Sequence, residues 1–170
     1  MTELSPISFE FVLEEAGWAH LLVNVSGDAY RIDRISYLTD ALGDLLLAGL
    51  MLSFGRSHHI MFDHEGWHTD VTFQGEWIER VVPADDVHAD FRCRVEAVEH
   101  DRDERKILFS ALCESHDQMA RALCRAGEKV WSELGAEEYG RRWISSGFPI
   151  RELDALKSAL GVEPFPSNWE

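Results

Sequence analysis

From Ile7 the chain alternates, with Ile7, Phe9, Phe11 and Leu13 apolar and Ser8, Glu10 and Glu14 polar between and after them, the period of a half-buried strand. A second run, WAHLLVNV, leads into Ser26-Gly27-Asp28-Ala29, where Gly27-Asp28 suits a two-residue hairpin turn, and AYRIDRI continues as a third strand. The period then changes. Leu38, Leu42, Leu45, Gly49 and Leu52 fall at helical spacing within YLTDALGDLLLAGLMLSF, with Ser36 as N-cap and Gly55 to close the C-terminus. The second half of this helix is apolar almost all round, which requires cover on more than one side, with sheet on one and later helices on the other.

Alternation returns at Ile60 and Phe62 and again at Trp67, Thr69, Val71, Phe73 and Trp77. Setting Phe62 opposite Trp67 leaves Asp63-His64-Glu65-Gly66 as a four-residue hairpin loop. Val87, Ala89, Phe91, Cys93, Val95 and Ala97 predict a long strand, HDRDER a charged turn, and KILFSALCE its hairpin partner. From Ser115 a stripe of Met119, Ala122, Leu123, Ala126, Val130 and Leu134 predicts a helix ending at Gly135. AEEYGRRWISS and RELDALKSAL predict two more helices, followed by the proline-punctuated tail VEPFPSNWE. Together these predict one α+β domain over residues 1–170. Residues 1–114 form an antiparallel sheet of about six to seven strands with a central helix, and residues 115–170 supply the C-terminal helices that complete its cover.

Composition changes this picture in one respect. Hydrophobic residues at 45% and charged residues at 28% are ordinary for a globular chain, but 31 acids against 16 bases leave a net charge of −15. Such a field repels phosphate backbones and anionic lipid and speeds encounter with basic partners, so nucleic acid and membrane surfaces are disfavoured. The same charge also keeps a protein soluble without any partner. Three cysteines without a CxxC pair read as reduced packing residues, the N-terminal stretch lacks a basic leader, and the longest apolar run, LLLAGLML, is too short to span a bilayer. The expected location is cytoplasmic.

Candidate chemistry concentrates in SHHIMFDHEGWH. In the register above, His59 faces Asp70 and Met61 faces His68 on the polar side, so His59, His68 and Asp70 can meet one ion, a set suited to zinc or non-haem iron. The competing reading is a polar strand face whose histidines are solvated or paired with carboxylates, and then no cofactor is needed. Asp40 and Asp44, four apart on the helix, read as a paired-carboxylate site, as acids placed well at a helix N-terminus, or as a ridge that docks a basic protein. Cys93, Cys113 and Cys124 fall at packing positions. GxSxG, Walker and GxGxxG patterns are absent, so no catalytic residue is assigned. Five of the six tryptophans, Trp67 and Trp77 among them, belong to a core or its rim, while Trp169 either folds back or anchors another chain.

The stretch ISYLTDALGDLLLAGLML, preceded by GWAHLLVNV and followed by YGRRW and FP segments, resembles a group of small bacterial proteins. Their pattern is a Trp-containing strand, then S-Y-L-x-D-x-L-x-D-L-L on a helix, then a sheet. Some of them look like immunity proteins encoded beside secreted toxins. The specific part is residues 36–46, and the resemblance directs attention to Ser36, Tyr37, Asp40 and Asp44 without implying catalytic residues. Where similar proteins carry an E-P-G type turn, this chain has DHEG. The first expectation is therefore a non-enzymatic acidic protein that neutralises a basic partner. The others are a metal-dependent enzyme using His59, His68 and Asp70, and a structural module that self-associates through the apolar end of helix 36–54 or the Trp169 tail.

Overall fold

The elements run β1 (Ile7–Leu13), β2 (Trp18–Val25), β3 (Asp28–Ser36), α1 (Ala41–Ser53), β4 (His58–Asp63), β5 (His68–Val81), β6 (Val87–Asp101), β7 (Glu104–Cys113), α2 (His116–Trp143) and α3 (Ile150–Ala159). The computed structural model describes residues 6–81, 87–113 and 115–163. The class is α+β, as the patterning predicts, but the strands do not join into one sheet. They form a three-stranded sheet, β1-β2-β3, and a four-stranded sheet, β4-β5-β6-β7, both antiparallel.

Near the end of β3 its ladder with β2 is irregular around Arg34, which stands at φ 56°, and the Arg34 carbonyl accepts a hydrogen bond from the His64 ring beyond β4, Nδ1 to O 2.8 Å, so a side chain joins the two sheets there. Ser36 is not a helix cap. It is the buried last residue of β3, and its hydroxyl donates to Glu65 Oε1 at 3.0 Å. Tyr37 stays outside the helix as well, because its N–H donates to the Gly17 carbonyl and its own carbonyl accepts from Ser145. The cap is Asp40, whose carboxylate accepts the Gly43 N–H at 3.2 Å.

Turn chemistry shifts one hairpin by a residue. Val25 pairs with Asp28, so the β2–β3 turn is Ser26-Gly27, both at positive φ (58° and 88°) as a type I′ turn requires. In α2, Gly135 sits at φ 66° and ψ −179°, a conformation nearly confined to glycine, and breaks the helix where the sequence predicts its end.

Buried side chains from both sheets and all three helices form one cluster. Phe9 of β1 meets Phe73 of β5, and Tyr30 of β3 stacks on Phe109 of β7, so the apolar faces of the two sheets are turned toward each other. α2 lies along β1, and α1 packs on α2, α3 and β4, which gives it the cover its apolar circumference demands. The contact is close because glycines receive leucines. A Cβ on Gly49 would stand 2.8 Å from Leu156 of α3, and one on Gly127 of α2 would stand 2.7 Å from Leu46. Truncating such a leucine costs about 2–5 kcal/mol.

Strands β5 and β6 are the longest. Only His68–Phe73 of β5 pairs with β4, and only Cys93–Asp101 of β6 pairs with β7, so beyond them the two strands pair with each other alone. Trp77 stands on this ribbon and is 68% exposed, against Phe91, rather than in the core or its rim.

Candidate functional site

The β4–β5 register differs from the expected one by two residues. His59 pairs with Thr72, Met61 with Asp70, Phe62 with Thr69 and Asp63 with His68, leaving His64–Trp67 as the loop. The cause is His64. Its ring is buried, stacks on Trp67 at 3.7 Å, and holds Thr69 Oγ1 through Nε2 at 2.8 Å, which pulls the turn forward along the chain. A shift of two leaves every side chain on its original face, so His59, His68 and Asp70 still point to the polar side of the sheet.

On that side they come together around Asp70. His59, diagonal to Asp70, brings Nε2 to 3.0 Å from Oδ1. His68 Nε2 lies 3.8 Å from Oδ2. A fourth group joins them: His100 of β6, directly opposite His68, has Nε2 3.2 Å from the same Oδ2. The His68 and His100 rings stack at 4.8 Å with 13° between their planes. Ligand atoms of His68, Asp70 and His100 all lie within 4.8 Å of one another, and the three are partly buried. The local sequence gives no sign of His100. Only the long-range register reveals it, since His68 and His100 each lie 13 residues from the Val81–Val87 pair.

His58 and His64 stand apart from this group. Desolvation holds both imidazoles below their ordinary pKa, against the hydrogen bond that the His64 ring donates to the Arg34 carbonyl and the charges of Glu99 and Asp63 in the case of His64.

Asp40 is brought near Glu152 of α3, and Asp44 lies near Asp40. Desolvation raises the pKa of both aspartates, Glu152 adds to the rise at Asp40, and Asp40 adds to it at Asp44. Asp40 keeps an exposed surface while the atoms packed around its carboxylate withhold water from it. Among the described residues no lysine, arginine or histidine lies within salt-bridge distance of these three acids. Trp169 lies outside the described residues.

Family models, curated proteins and solved structures yield no match to this chain.

The side chains therefore define what chemistry is at hand. Cys93 and Cys113 are cross-strand neighbours, all three cysteines are buried and free, and burial pushes the thiols of Cys93 and Cys113 up to about 12 and about 11. Neither supplies a thiolate nucleophile at neutral pH. Among the described residues no helix is long and apolar enough to cross a membrane. Two groups remain: imidazoles converging on one carboxylate, and three acids that no basic side chain among the described residues pairs with.

Proposed function

We propose that the protein is a non-enzymatic acidic binding protein of the immunity type, which neutralises a basic protein partner by covering its surface. The observation that carries this reading is the grouping of Asp40, Asp44 and Glu152. Burial raises the pKa of both aspartates, Glu152 adds to the rise at Asp40 and Asp40 to that at Asp44, and no basic side chain among the described residues pairs with them. Such an arrangement costs stability in the free protein and becomes favourable when a partner supplies the lysines or arginines. Much of the chain's own positive charge is occupied elsewhere, as in Arg94 with Glu76, Arg121 with Asp117, and Arg141 and Arg142 with Glu138.

The test is capture of the product of the adjacent gene, followed by association kinetics across a range of ionic strength. Association slows steeply with salt, and the double substitution Asp40→Asn with Asp44→Asn lowers the on-rate by about tenfold while leaving the fold intact, because asparagine is as good an N-cap as aspartate. Absence of binding, or an affinity indifferent to both salt and substitution, removes the reading.

A further inference from the structure

The convergence on Asp70 is independent of the acid group on α1 and α3. Protons alone can hold an imidazole against a carboxylate, and single pairs of this kind are common on strand faces. This group has more than a pair. Two imidazole Nε2 atoms approach one oxygen, Asp70 Oδ2, from stacked rings on neighbouring strands, at 3.2 and 3.8 Å. Zinc–nitrogen and zinc–oxygen bonds of about 2.0–2.1 Å in a tetrahedron place ligand atoms about 3.4 Å apart. The two separations bracket that value, and the ligand atoms of all three side chains fall within 4.8 Å.

The rest of the group suits the same task. The other carboxylate oxygen, Oδ1, is engaged by His59 Nε2 at 3.0 Å, so the carboxylate is held in place while Oδ2 is left for a ligand. The three ligand residues sit on β5 and β6 within continuous ladder pairing, so the backbone fixes their spacing before any ion arrives. Their side chains keep 28–40% of their surface exposed, which leaves a coordination position open to water.

We propose that His68 Nε2, His100 Nε2 and Asp70 Oδ2 bind one divalent transition-metal ion of the zinc class, with His59 as the positioning residue that holds the carboxylate. Imidazole nitrogen favours zinc, copper and nickel over magnesium and calcium, which take all-oxygen sites. The proposal concerns the ion alone. It stands or falls separately from the partner reading, since the two rest on different residues.

The experiment uses tag-free full-length protein stripped with a chelator and titrated with zinc chloride by calorimetry and by competition with a chromophoric chelator. One zinc binds per chain, and excess magnesium does not compete. His68→Ala, His100→Ala and Asp70→Asn each weaken binding by 100-fold or more, and His59→Gln by about tenfold. His20→Ala, a histidine outside the group, leaves it unchanged. Each variant is first shown to melt within a few degrees of the unaltered protein in chelator, and His100→Gln replaces His100→Ala if the latter does not. Saturation only at millimolar zinc, equal competition by magnesium, or an affinity untouched by the His100 substitution overturns the proposal.

Discussion

His64 shows how much one side chain can settle. Its Nδ1 faces the Arg34 carbonyl and can only donate, so in the neutral ring Nε2 accepts the Thr69 hydroxyl proton. The ring thereby joins the β4–β5 turn to the edge of the other sheet. Because burial keeps its folded-state pKa below the ordinary value near 6.5, the unfolded chain takes up the proton first as pH falls. Stability is therefore full above about pH 6.5 and declines as pH drops from there toward the folded pKa. His58 and His116 act with the same sign. Urea midpoints measured between about pH 7.5 and 5.5 should fall, and His64→Gln should flatten that slope even though it lowers the midpoint at every pH; an unchanged slope contradicts the assignment. At this scale the sequence reads well where local period governs. His59, His68 and Asp70 share a face even with the register misplaced by two, because a strand repeats every two residues. His100 is not legible, since its place opposite His68 is set by a pairing 32 residues distant in the chain.

Elements follow the hydrophobic period closely, and their ends do not. Both Ser36 and Asp40 are chemically fit to cap α1. What decides between them is the capture of Tyr37 and Ser36 by Gly17, Ser145 and Glu65, contacts no local pattern contains. Alternation likewise marks all seven strands but carries no information on which sheet each joins. Gly135 is the opposite case, a residue whose chemistry is visible in the chain and whose conformation matches it. At φ 66° and ψ −179° a Cβ is strained whatever the surrounding space, and none of the described atoms crowds the position. Gly135→Ala should lower stability by about 1–3 kcal/mol without altering the contacts of the first part of α2, as thermal unfolding together with the urea midpoint will register. A neutral substitution would mean that α2 can run straight through.

For the whole molecule the governing quantity is the charge of −15. Exposed ion pairs such as Lys129 with Glu10 and Arg141 with Glu138 contribute little, and salt weakens them. The unbalanced acids repel over a Debye length of about 10 Å at 0.1 M salt, and screening relieves that repulsion too. With nearly twice as many acids as bases, relief outweighs the lost pairs, so Tm should rise as sodium chloride increases from low ionic strength. A falling Tm would show that the pairs dominate. The seating of Leu156 against Gly49 and of Leu46 against Gly127 bears on the same charge. Knobs sunk into notches forbid the helices to slide by a turn, which keeps the carboxylates at the head of α1 at a constant interval from the one opening α3. On the binding reading proposed above, a visitor bearing lysines would meet a finished mould, with little ordering entropy spent in filling it.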